Sequence, residues 1–159
     1  MKVFSDSADY NLILKYSKDK IVKGFTTNPS LMRLAGAKNY KSYSLKLIRA
    51  SNKKPISLEV FSDNINEMYK QGKSISKWGK NVYVKIPVIN TKGKFTGACI
   101  KKLSDEKIKL NIYNSQFIQV KKLNLGRSIF PYIPFFRHAN SRFRFYENID
   151  MYAIANIID

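Results

Sequence analysis

Residues 81–88 read NVYVKIPV, a run of β-branched and aromatic side chains with one lysine inside it. A run of this kind, closed by Ile86-Pro87, reads as a strand with at least one buried face. Alternation puts Val82, Val84 and Ile86 on one side and Tyr83 with Lys85 on the other. The lysine then has two readings. Desolvation in an apolar pocket favours an uncharged amine, which is a nucleophile toward ketones and aldehydes. Alternatively, the aliphatic stem lies along the strand and the ammonium group emerges into solvent at its end. The strand alone leaves both open.

Working outward, short apolar runs alternate with helix-like segments. Strands are expected over residues 2–5, 21–25, 55–61, 82–88 and 108–112, and helices over 8–17, 38–50, 64–78 and 96–103. Asp6 or Ser7 is the expected cap of the first helix. Tyr40, Tyr43 and Leu47 form one helical stripe, and Asn64 with Glu67 has capping-box spacing ahead of Ile65, Met68, Ile75 and Trp78. Strand–helix repeats of this length imply βαβ units and a parallel sheet. Such strands suit either a doubly wound sheet or part of a barrel. Asp6, Glu59 and Lys85 sit at or near the C-terminal ends of three different strands, which is where a (β/α) barrel assembles its active site. The expected fold class is therefore α/β, a parallel TIM-barrel type that is incomplete, with about five recognisable strands of eight.

Composition narrows the function classes. The chain has 159 residues, 44% of them hydrophobic, which suits one domain or an incomplete copy of a larger one and argues against wholesale disorder. No window is apolar enough to span a bilayer, and the opening MKVFSDSADY lacks the apolar run of a signal peptide. A soluble, cytoplasmic protein without a membrane partner is expected. Cys99, the one cysteine, lies in an apolar stretch and reads as packing. With His138 as the one histidine, neither a metal site nor a Ser-His-Asp arrangement is expected. The net charge of +18 invites a nucleic-acid reading, but it is spread out: residues 1–112 carry 23 basic and 8 acidic groups, residues 113–159 carry 6 and 3. Lysines alternate with apolar positions, as in KNYKSYSLKLIRAS at 38–51, a pattern of solvated helix faces. Weak attraction to polyanions follows, without a specific nucleic-acid partner.

Three further positions carry chemistry. GFTTNPSLM, residues 24–32, ends the second strand with Thr26, Thr27 and Asn28, and Pro29 holds Asn28 out of the α region. Asn28 then directs its amide into a site, or the stretch is only a polar turn before a helix. Asp6 is a helix cap or a catalyst. Glu59, among Leu58 and Val60, needs a partner or a proton-transfer task, because an unpaired buried carboxylate is costly.

Together these stretches resemble the transaldolases, particularly the short subfamily that includes the fructose-6-phosphate aldolases. GFTTNPSLM is similar to the family's strand-two signature and VKIPV to the segment with its Schiff-base lysine, while VFSDSAD, SLEVF and GACIKKLSDEKIKLNI match in order and spacing. The resemblance covers about residues 1–112. It implies that Lys85 forms the imine with a ketose phosphate, that Glu59 activates the water exchanged with it, and that Asp6 is the general acid/base of carbon–carbon cleavage. Thr26 and Asn28 would bind the dihydroxyacetone unit. No cofactor is implied, the partners are sugar phosphates, and a homo-oligomer is expected. Glu59 stands where the aldolase branch typically has glutamine, which favours transaldolase chemistry in the pentose phosphate pathway. The alternatives are an aldolase-like lyase, an inactive truncated relative and, further off, a basic nucleic-acid-binding protein.

The resemblance stops after Ile112. Family members follow the strand-five asparagine with a threonine-alanine-aromatic segment, and this chain has Tyr113-Asn114-Ser115-Gln116-Phe117. QVKKL at 119–123 is family-like again, but the Lys:Arg ratio moves from 21:2 before residue 113 to 2:4 after it. The expected division is an N-terminal barrel part, 1–112, and a divergent tail of uncertain fold, 113–159, which displaced reading frames would explain. Reading the gene in all three frames tests this: if no neighbouring frame restores family-like strands, the idea is wrong. No phosphate ligand is assigned among Arg127, Arg137, Arg142 and Arg144.

Overall fold

The computed structural model describes residues 2–113 and the backbone of 143–146. The expectations for His138 and the tail arginines lie outside the described residues, save that Arg144 belongs to a strand. Strands β1 (Lys2–Asp6), β2 (Val22–Thr26), β3 (Ile56–Glu59), β4 (Val82–Pro87) and β5 (Leu110–Tyr113) pair in parallel as consecutive neighbours. They alternate with helices α1 (Tyr10–Ser17), α2 (Pro29–Leu34), α3 (Tyr40–Ala50), α4 (Ile65–Ser76) and α5 (Gly97–Asp105). The result is a curled half-barrel of five parallel strands, the incomplete TIM-barrel type expected. A sixth strand, β6 (Phe143–Tyr146), runs antiparallel along the outer edge of β1.

The two faces of the sheet differ. Register and alternation put Phe25, Ile56, Leu58, Val82, Val84, Ile86 and Leu110 toward the helices, where all are buried. They pack with Leu47 of α3, Met68 and Ile75 of α4 and Leu103 of α5 in one continuous core. Tyr40, Tyr43, Ile65 and Trp78 border that core as the helical stripes require, and Cys99 lies within it. The concave face carries Asp6, Thr26, Ser57, Glu59, Lys85, Asn111 and Tyr113. Gly24 allows β1 and β2 to meet at this face. A Cβ there would stand 2.5 Å from the Phe4 ring and 2.7 Å from the Pro55 carbonyl oxygen.

Local boundaries differ from the expectations for identifiable reasons. Asp9, rather than Asp6 or Ser7, caps α1, accepting from the Leu12 amide at 2.9 Å, while the Ser7 hydroxyl accepts from the Asp9 amide. Only half of the capping box on α4 forms. Asn64 Oδ1 accepts from the Asn66 and Glu67 amides, but the Asn64 amide goes to the Ser62 hydroxyl and Glu67 pairs with Lys70. Helix α2 was not expected as a separate element. Asn28 as cap with Pro29 in the first turn is its start signal, because proline needs no hydrogen-bond acceptor there. Helix α5 starts at Gly97, one residue later than expected: Thr96 is its N-cap residue, with its hydroxyl donating to the Pro87 and Val88 carbonyls and making no cap bond.

At the N-terminal ends of the strands, Lys54 closes the layer between α1 and β2. Its Nζ donates to the carbonyls of Tyr16, Asp19 and Val22 at 3.0, 2.5 and 2.7 Å. The amine thus ties the last turn of α1, the turn after it and the first residue of β2 together through three backbone carbonyls. No described helix is long and apolar enough to cross a membrane.

Candidate active site

The sheet register sets the site before any side chain is considered. Glu59 is paired with Lys85 across β3 and β4, Lys85 with Asn111 across β4 and β5, and Asp6 with Thr26 across β1 and β2. Residues two apart on β3, β4 and β5 add Ser57, Tyr83 and Tyr113 to the same face. Each parallel strand therefore delivers a polar group to the concave side, toward its C-terminal end.

Lys85 is 5% exposed, and its Nζ lies 2.8 Å from Glu59 Oε2. The side chain is covered and turned toward Glu59, whereas the second reading has the ammonium group emerge into solvent at the strand end. The second carboxylate oxygen of Glu59 accepts from the Tyr113 hydroxyl at 2.6 Å. The Tyr113 ring covers the amine, its centroid 4.6 Å from Nζ. Burial first, then the Glu59 charge and hydrogen bond, push the Tyr113 phenol well above its usual range, so it stays a donor. Tyr40 of α3 holds the same strand from behind, its hydroxyl donating to the Glu59 carbonyl at 2.8 Å. Its phenol too is pushed up, chiefly by burial. Closer to the strand starts, Asn111 Nδ2 donates to Ser57 Oγ at 2.9 Å and links β5 to β3 across β4.

A second cluster lies on β1 and β2, where the Thr26 hydroxyl donates to Asp6 Oδ1 at 2.6 Å. Asp6 is thus bonded across the sheet, and the cap of α1 is Asp9. Asp6 is three places from Lys85 in the order of strands, so the structure joins Glu59 directly to the amine and Asp6 to Thr26. Asn28 has the extended backbone that Pro29 demands, at φ −149° and ψ 166°. Its Oδ1 accepts from the Leu31 amide at 2.8 Å, so the candidate site residue is also the cap of α2. Thr27 is fully buried, and its Oγ1 has no hydrogen-bond partner among the described residues.

Two loops close over the strand ends. Asp63, after β3, accepts from the Thr91 amide at 3.0 Å and from the Thr91 hydroxyl, while Asn90 Nδ2 donates to the Asp63 carbonyl at 2.8 Å. Asn90 Oδ1 also accepts from the Lys92 and Lys94 amides, which folds the β4–α5 connection into a compact turn with Gly93 at φ 74°. Among the described residues, no cluster of three or more His, Cys, Asp or Glu side chains could hold a metal ion. What the arrangement offers is an amine, carboxylates and hydroxyls.

The profile of the Transaldolase/Fructose-6-phosphate aldolase family matches residues 3–113. The chain belongs to this family. A probable transaldolase of Dehalococcoides mccartyi is 36% identical over 112 residues, 70% of this chain and 50% of that protein. Probable transaldolases of Nitrosopumilus maritimus and Clostridium kluyveri are 37% and 38% identical over 112 residues, 48% and 49% of their lengths. The chain thus spans about half the length of the curated relatives it matches.

Within this transaldolase/aldolase framework, Tyr113 is the residue that sequence reasoning missed. It stands at the position where the resemblance stops, the first residue of the divergent tail. The available signal was parity: two residues after Asn111, Tyr113 returns to the concave face at the end of its strand. Tyr40 was read only as part of a core stripe, because its bond to the Glu59 carbonyl comes from tertiary packing.

Proposed function

We propose that this protein carries out transaldolase chemistry in the pentose phosphate pathway, moving a dihydroxyacetone unit between sugar phosphates through a Schiff base on Lys85. The observation that carries the reading is the buried Lys85 amine 2.8 Å from Glu59 at the C-terminal end of a barrel strand. Family membership and the Asp6–Thr26 pair support it.

In this mechanism the deprotonated Lys85 amine adds to the carbonyl carbon of sedoheptulose 7-phosphate. The carbinolamine loses its hydroxyl as water, with Glu59 handling the proton, and an iminium ion remains. Asp6 removes the proton from the C4 hydroxyl, the C3–C4 bond breaks, erythrose 4-phosphate leaves, and its electron pair is held as an enamine on Lys85. The enamine carbon then attacks the aldehyde of glyceraldehyde 3-phosphate, whose oxygen takes its proton from Asp6. Water, activated by Glu59, hydrolyses the imine and releases fructose 6-phosphate. Thr26 and the Asn28 NH2 bind the hydroxyls of the dihydroxyacetone unit. No cofactor is needed, because the iminium nitrogen is the electron sink. Such substrates suit a cytoplasmic location, and a homo-oligomer is part of the same reading.

The test is incubation with fructose 6-phosphate and borohydride followed by intact-mass and peptide analysis. The expected outcome is a reduced adduct on Lys85. Folded protein that yields no adduct would favour the second reading, a non-catalytic relative. That reading is motivated by the antiparallel strand at the β1 edge of the sheet.

A further inference from the structure

The contacts at the end of β5 point to a role for a residue that lies where the family resemblance ceases. We propose that Tyr113 is a positioning residue for the Lys85 chemistry: its hydroxyl holds Glu59 in line with the amine, and its ring closes the β5 side of that amine to reactants. The inference rests on the transaldolase-type reading of the site and extends it to a residue with no assigned role.

Three observations converge on it. The Tyr113 hydroxyl and the Lys85 amine take opposite oxygens of one carboxylate, at 2.6 and 2.8 Å. A carboxylate held at both oxygens has little freedom to rotate, so the proton acceptor stays where the amine or carbinolamine needs it. The ring then lies over the same buried amine, with Nζ 4.6 Å from its centroid. Finally, β5 flanks β4 on the side opposite β3. A ring reaching in from β5 leaves the ketose carbonyl an approach across the concave face, from the side that carries Asp6 and Thr26. The two halves of the side chain thus have separable tasks.

Two variants separate them. Tyr113→Phe keeps the ring and removes the hydroxyl; Tyr113→Ala removes both. One readout is the rate of borohydride-trapped adduct formation with fructose 6-phosphate. The other is the rate at which acetic anhydride labels Lys85 relative to exposed Lys70 in the same molecule, which requires no sugar chemistry. Tyr113→Phe is expected to slow trapping by about tenfold, the loss of one hydrogen bond to a charged group, with labelling of Lys85 unchanged. Tyr113→Ala is expected to raise Lys85 labelling several-fold. Trapping by Tyr113→Phe at the wild-type rate would overturn the role of the hydroxyl, and unchanged labelling in Tyr113→Ala would overturn the role of the ring. If wild-type protein traps no sugar, the transaldolase reading fails, and with it the Glu59-positioning half. The labelling comparison then still decides the shielding half. Circular dichroism and the thermal midpoint identify a variant that has lost its fold. If Tyr113→Ala does so, Tyr113→Ser replaces it under the same criterion: raised labelling of Lys85 supports the ring as its cover, and unchanged labelling overturns it.

Discussion

Lys85 sets the terms for its neighbours. Replacing it with methionine keeps most of the volume but leaves Glu59 with Tyr113 as its remaining hydrogen-bond partner at the carboxylate. A Lys85→Met variant is expected to trap no sugar adduct. It should also lose about 2 kcal/mol of stability by urea titration, less than for a fully buried broken pair because Tyr113 still holds the carboxylate. The double variant with Glu59→Gln should be more stable than the sum of the single changes predicts, since the stranded charge is gone. Thr27 leads to the opposite expectation. Its buried hydroxyl has no partner among the described residues, so Thr27→Val should raise stability by about 1 kcal/mol. A loss instead would mean that the hydroxyl has a partner, such as an ordered water. Cys99 supplies a third residue-scale test. Burial pushes its thiol up to about 11, and the side chain is 2% exposed. Ellman's reagent at pH 8 should leave it untouched in native protein and titrate one thiol after denaturation. Fast native reaction would show that α5 opens.

At the scale of elements, the loops after β3 and β4 are joined by hydrogen bonds from Thr91 and Asn90 to Asp63. The hydrogen bonds from Thr91 hold the Asp63 carboxyl below its usual range, with nearby Lys92 adding a smaller pull in the same direction. A depressed carboxylate stabilises its contacts above the unfolded-state pKa, and that contribution is lost as pH falls through the lower folded value. The clasp should therefore be closed at neutral pH and open in acid, below the ordinary aspartate range. Amide exchange at Thr91, corrected for intrinsic rate, should show protection falling there, and Asp63→Ala should show the same low protection at pH 7. Protection that survives the substitution would assign the turn's order to Asn90 alone. The helices were legible where caps and stripes act locally, as at Asn64 and at Tyr40, Tyr43 and Leu47. The start of α1 was misread because Asp6, Ser7 and Asp9 are all competent caps, and the choice depends on Asp6 being drawn to Thr26 across the sheet. That contact spans twenty residues of sequence and leaves no local trace.

At the scale of the whole molecule, alternation along NVYVKIPV was sufficient to place Lys85 on the face opposite the helices, and strand–helix rhythm was sufficient for the parallel half-barrel. The pairing of Lys85 with Glu59 was legible because parallel register brings equivalent strand ends together. Tyr113 was not, since its meaning depends on continuing β5 one residue past the recognisable pattern. The charge of +18 has a whole-molecule consequence as well. Lysines such as Lys18, Lys41, Lys77 and Lys101 stand exposed on or at the ends of different helices rather than in one groove. Binding to heparin should be weak, vanish at moderate salt and show no preference among nucleic-acid sequences. Tight, sequence-selective binding would contradict the dispersed arrangement.

The antiparallel β6 has a topological effect on any attempt to complete the barrel. In an eight-stranded parallel barrel the last strand closes against the first, along the flank of β1 that Phe143–Tyr146 now occupies. A strand-bearing fragment supplied in trans would have to displace that ribbon before its own strand could seat on that flank. Reconstitution should accordingly be slow and should speed up when residues 143–146 are deleted, as if a cork were drawn from the seam.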